Sequence, residues 1–122
     1  MDATRQHLEE KLKVQLSQAA HTAAELQALE QGDRVPHFDE IEIPAHDLGK
    51  KLSRAIQGER AREVALKQLG KVRCPECNQQ CKVEIEMRDV HSMDGPIELT
   101  EPVAYCRRCR RSFFPSAESP RV

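Results

Sequence analysis

The stretch CPECNQQCKVEIEMRDVHSMDGPIELTEPVAYCRRC, Cys74 to Cys109, decides how this chain is read. It opens and closes on a Cys-x-x-Cys pair, Cys74/Cys77 and Cys106/Cys109, with 28 residues between the pairs. Each pair sets two sulfurs on one side of a tight knuckle. Two facing knuckles offer four thiolates as a tetrahedron, the geometry zinc prefers, with Zn–S near ~2.3 Å. The gap exceeds the roughly 15–20 residues of many such sites, and the residues inside it explain why. Val83, Ile85 and Met87 alternate with Lys82, Glu84, Glu86 and Arg88, the period of a strand. Ile97, Leu99, Val103 and Tyr105 keep the same alternation toward the second knuckle, and Asp94-Gly95 marks the turn between the runs. Pro102 lies in the second run, so that strand is expected at a sheet edge or broken there.

Knuckle, strand, turn, strand, knuckle is the order of a zinc ribbon. Iron fits the same four-sulfur cage by spacing alone. A redox dithiol at Cys74/Cys77 is the other alternative, but it needs a βαβ setting and leaves the second pair idle. Four cysteines close the coordination sphere, so the expected Zn²⁺ is structural, with no position open for water or substrate. The residue after the second cysteine of a knuckle favours a left-handed backbone. Asn78 tolerates that conformation and Arg110 tolerates it less well. Cys81 is the fifth cysteine and reads as a buried apolar thiol or as an exchanging ligand. His91 is a ligand only if one of the four cysteines is not.

Arg107, Arg108, Arg110 and Arg111 crowd the second knuckle. Guanidinium groups match phosphate oxygens in pairs, so the cluster suggests contact with a DNA backbone. It also reads as a solvated face, or as an offset to the negative charge of a four-thiolate zinc centre. Phe113 and Phe114 follow, and packing against the ribbon is favoured over base stacking for the pair.

Outward from this stretch, residues 1–69 contain no cysteine, and the step at Gly70 is the clearest boundary. Leu8, Leu12, Leu16, Ala19, Ala23 and Leu26 line one face of a helix expected over 3–30, with Gly32 as its left-handed cap. So long a stripe needs a cover: the second helix, a second copy of the chain through a coiled-coil-like seam, or both. Residues 31–45 read as a connector punctuated by Pro36 and Pro44, with Phe38, Ile41 and Ile43 as apolar anchors. A second helix is expected over 46–69, with Asp47 as N-cap and Gly58 marking a bend or close contact. The four other histidines, His7, His21, His37 and His46, have no evident partner. The expected architecture is α+β: a helical hairpin over 1–69, a zinc ribbon over 70–117 and a disordered tail over 118–122.

The chain has 122 residues, is 32% charged, carries a net charge of −1 and has four aromatic side chains in all. That excludes a large parallel sheet and an all-over basic nucleic-acid binder. No phosphate loop, nucleophile elbow or His-Glu-x-x-His motif is present, so no enzymatic activity is expected. No apolar run is long enough to cross a bilayer, and no apolar signal core opens the chain, so a cytoplasmic protein is expected.

Several segments resemble the N-terminal region of bacterial insertion-sequence transposases, which carry a zinc ribbon ahead of a DDE catalytic domain. They are Phe38-Asp39-Glu40-Ile41-Glu42, His46-Asp47-Leu48-Gly49, Leu69-Gly70 leading to Cys74-Pro75-Glu76-Cys77, Tyr105-Cys106-Arg107-Arg108-Cys109, and Phe113-Phe114-Pro115-Ser116. The resemblance covers residues 36–117 and implies a role in recognising element ends or supporting assembly on DNA. The chain stops where the catalytic domain would begin, so no acidic triad maps onto it. This implies a transposase-derived or truncated DNA-binding piece. The rival readings are a zinc-stabilised protein-interaction module working through the long helix, with a homodimer as one form, and a metal or redox sensor using Cys81.

Overall fold

The computed structural model describes residues 2–115. The expected tail at 118–122 and the last two residues of the expected ribbon, 116 and 117, lie outside that range. Two helices, α1 (Asp2–Gln31) and α2 (Phe38–Lys67), precede four strands: β1 (Gly70–Arg73), β2 (Gln80–Ser92), β3 (Gly95–Cys106) and β4 (Arg111–Phe113). The strands form one antiparallel sheet in the order β1-β2-β3-β4. The α+β class therefore holds. The chain divides into two compact units, Met1–Leu48 and Gly49–Val122, with the division inside α2.

α1 is dominated by good helix formers, Ala, Leu, Gln, Glu and Lys. It spans 30 residues, about 45 Å at ~1.5 Å per residue. Gly32 ends it as expected, with φ +62° and its N–H donating to the Ala28 carbonyl at 3.1 Å. No residue of α1 is buried, and the stripe leucines Leu8, Leu12, Leu16 and Leu26 are all exposed. His21 pairs with Glu25 at 3.1 Å one turn on, a partner the sequence reading did not assign.

The connector is shorter than expected. α2 starts at Phe38, and Pro44 lies inside it, so Asp47 is a helical residue and not the N-cap. His37 takes that position: Glu40 accepts its N–H at 3.1 Å and also binds Arg34 at 2.7 Å. This is the reciprocal half of a capping box. A proline inside a helix has no N–H for the carbonyl four residues back, here Glu40. The Gln31 side-chain amide donates to that carbonyl at 3.3 Å, and Gln27 donates to the next one, Ile41, at 3.2 Å. The helix runs through Pro44, and the Gln31 amide supplies the one donor that the proline lacks, while Gln27 adds a second bond from α1 to the same turn. Phe38, Ile41 and Ile43 are exposed, so they do not anchor the segment.

In the second unit, β2 and β3 form a long ribbon closed by a two-residue turn, Met93-Asp94, with Ser92 opposite Gly95. Only its cysteine end is widened: β1 pairs with Gln80–Val83, and β4 pairs with Ala104–Cys106. Pro102 pairs with Ile85 in an unbroken β3, beyond the reach of β4, so it occupies an edge as expected. A bare two-stranded ribbon is marginal in water. Here its tip is held by α2: Arg54 donates to the Asp94 carbonyl at 2.8 Å, and the Ser53 hydroxyl donates to the Asp94 carboxylate. Polar side chains of α2 thus make these contacts, while its apolar Leu48, Leu52, Ile56 and Val64 stay exposed. Ala65 is buried. The close contact expected at Gly58 is absent, since a Cβ there would meet nothing within 4 Å.

Candidate metal centre

The core is small and sits around sulfur. Val72, Cys74, Cys81, Val83, Ala104 and Cys106 form it, with Cys77, Cys109 and Phe113 packed against it. Strand alternation puts Val72 opposite Cys81 and Val83 opposite Ala104 on one sheet face. β1 and β4 escaped the sequence reading because runs of four and three residues are too short to display a period. The only signal for β1 is the apolar-polar alternation through Val72 and Cys74.

Both knuckles form as the Cys-x-x-Cys spacing requires. In the first, the Cys74 N–H donates to the Gln79 carbonyl and the Asn78 N–H donates to the Cys74 carbonyl, each at 2.8 Å. In the second, the Cys109 N–H donates to the Cys106 sulfur at 3.4 Å. Asn78 and Arg110 have φ of +63° and +57°, so both knuckles use the left-handed residue anticipated after the second cysteine. Arg110 holds a conformation that costs an ordinary side chain roughly 1–2 kcal/mol.

The four cysteines Cys74, Cys77, Cys106 and Cys109 meet, with all four sulfurs within 4.8 Å of one another. Cys77 and Cys106 lie 3.4 Å apart, and Cys74 and Cys109 lie 3.8 Å apart. All five cysteines are free thiols. A tetrahedral four-thiolate site has sulfur–sulfur edges of about 3.8 Å, so the cluster is already of the size a single ion needs. The Cys109 N–H and neighbouring sulfurs lower the Cys106 thiol to about 6. Cys109 is pushed up to about 12, first by its hydrogen bond with Cys77 and then by burial. Without a cation one thiolate is favoured and the next opposed, because hydrogen bonds among the sulfurs and burial keep the second thiol protonated. A divalent ion removes that conflict. These four cysteines are therefore positioned to hold a metal ion.

Cys81 shares the core with Cys74 and Cys106 but is not one of the four clustered sulfurs. It is buried, its sulfur bonds the Gln79 carbonyl at 3.4 Å, and burial pushes its thiol up to about 11. His91 lies on the outer ribbon, opposite Pro96, and is not in the sulfur cluster. Arg107, Arg108, Arg110 and Arg111 are all exposed around the second knuckle. Among the described residues, Arg111 alone of the four makes an ion pair, with Glu76 of the first knuckle at 3.3 Å. Phe113 packs on the core as expected, whereas Phe114 is exposed. Among the described residues no helix is long and apolar enough to cross a membrane. In comparisons with known proteins, the chain matches no family model, no curated protein and no solved structure.

Proposed function

We propose that the cysteine end is a zinc ribbon in which Cys74, Cys77, Cys106 and Cys109 hold one structural Zn²⁺. The arginine-dense knuckle beside it contacts DNA phosphates. The observation that carries this reading is the closed four-sulfur cluster with four exposed arginines on one of its knuckles. Four sulfurs saturate a tetrahedral ion, so the metal supplies folding energy and no catalysis. Arg107, Arg108 and Arg110 extend from the sheet into solvent, where guanidinium forks meet phosphate oxygens in pairs. In keeping with the sequence resemblance, the module is transposase-derived or part of a transposase, and binds DNA without acting on it.

Two measurements test this. Metal analysis of protein purified without added metal should return about one zinc per chain; folded protein without metal, or with iron, sinks the zinc assignment. Duplex affinity should fall steeply with salt, with a log–log slope near 0.9 per neutralised phosphate. Replacing the four arginines by glutamine should flatten that slope by about 3 to 4. Affinity independent of salt would refute the phosphate contact.

A second reading is favoured by the bare stripe of α1. Leu8, Leu12, Leu16 and Leu26 share one helix face and are all exposed in the single chain. In that reading the helix recruits a partner, a second copy of this chain in the first instance, and zinc serves only to fold the ribbon.

A further inference from the structure

The sheet has two unlike faces at its cysteine end. One is the buried core. The other carries Lys71 and Lys82, which are register partners, and Tyr105 with its register partner Ser112. With Arg107 these side chains line an open groove of about 640 Å³, floored by Val103. Tyr105 is 51% exposed there, the one tyrosine of the chain. A large aromatic ring left half in water near the end of an interior strand loses the burial that ordinarily favours such a residue in a sheet.

Charge is sorted along this face. Lys71, Lys82 and Arg107 line the groove with Tyr105 at its cysteine end, and Glu84 and Glu86 line it farther along β2 toward the ribbon. A polyanion is attracted at the cysteine end and repelled from the ribbon, which steers it across the strands. Cations with an exposed ring among them are the elements of a surface that binds unpaired bases: the cations take phosphates and the ring takes a base face. A duplex keeps its base faces stacked and offers the ring nothing. An acidic peptide satisfies the cations and leaves the ring without a stacking partner.

We infer that this groove binds single-stranded nucleic acid, with one base stacked on Tyr105 and the flanking phosphates on Lys71, Lys82 and Arg107. The inference rests on the proposal that the adjoining arginine knuckle contacts nucleic acid, and it adds a second substrate form, melted or single-stranded. The absence of tryptophan makes Tyr105 its own reporter. The experiment titrates the full chain with short oligodeoxythymidylate, oligouridylate and a duplex at low salt. Tyrosine emission and anisotropy of the labelled strand are read together. Both single strands should quench the emission, with the duplex leaving it unchanged. Tyr105→Ala should weaken single-strand binding by ~5- to 150-fold, and Tyr105→Phe should retain it within about threefold, because the ring face persists. If duplex binds and weakens in an Arg108→Gln/Arg110→Gln variant, but single strands neither quench the tyrosine nor respond to Tyr105→Ala, this inference fails and the knuckle reading stands. If no nucleic acid binds at all, both fail. Equal quenching by polyglutamate overturns the assignment to nucleic acid.

Discussion

α1 and the cysteine end of the sheet are opposite ways to make ordered structure. α1 is the longer and more regular element, and none of its residues is buried. The sheet end draws on β1 of four residues and β4 of three, yet it holds nearly all of the buried side chains. A helix satisfies its backbone internally and needs only favourable local residues to form. A three-residue strand satisfies nothing alone and depends on whatever fixes its neighbours. Here that is the sulfur cluster, which ties the β1–β2 knuckle to the β3–β4 knuckle through Cys74···Cys109 and Cys77···Cys106. Regularity and burial are thus separated in this molecule, and different perturbations should reach each.

If the cysteine cluster holds zinc as proposed, metal removal is the largest such perturbation. Structural zinc contributes about 10–16 kcal/mol in small zinc modules. Chelation, or Cys106→Ser, should erase the dispersed sheet resonances while most of the helical circular dichroism remains. A sheet that survives metal-free would break the contrast between the two regions. Next comes the stripe. If α1 is covered by a second copy, Leu12→Glu/Leu16→Glu should weaken association by ~3 kcal/mol or more, since each buried leucine gives roughly 1.5–3 kcal/mol. Sedimentation should then show a concentration-dependent mass for the wild type and a monomer for the variant. Identical sedimentation of the two sinks the helix-partner reading.

Two glycine exchanges probe the same contrast on a smaller scale. Gly58→Ala in α2 meets no neighbour within 4 Å and should raise stability by about 1 kcal/mol through helix propensity. Arg110→Gly should stabilise the metal-loaded ribbon by about 1 kcal/mol, because glycine adopts its φ of +57° freely. It should also lower duplex affinity if that guanidinium meets phosphate. Thermal melts and anisotropy separate the two effects. The smallest effect is at the start of α2. The His37 N–H and Arg34 hold the Glu40 carboxyl below its ordinary 4.5. A carboxyl with a depressed folded value adds stability that is complete above the unfolded value and fades as pH falls through the folded one. Glu40→Gln should therefore fray this helix start above pH 4.5 and change little in stronger acid, as hydrogen exchange at 38–42 would show.

Much of the candidate site was legible. The two Cys-x-x-Cys pairs, the intervening alternation and the Asp94-Gly95 turn anticipate the ribbon, and the positions after each knuckle anticipate φ above zero at Asn78 and Arg110. These signals are local: a turn, a period of two, a backbone preference. Pro44 misled for the same reason. Read locally it breaks a helix, whereas the donor that replaces its missing N–H, the Gln31 amide, comes from the previous element.

The sequence by itself determined the extent of α1, the four cysteines that cluster and the hairpin between their two pairs. Each follows from interactions among residues close in the chain or from the chemistry of four identical side chains. Only the tertiary structure decided that α2 meets the hairpin tip through Ser53 and Arg54 and leaves its leucines in water. It alone brought Lys71, Lys82, Tyr105 and Arg107 around one groove. Those juxtapositions depend on strand order and register across β1 to β4, which no local pattern encodes.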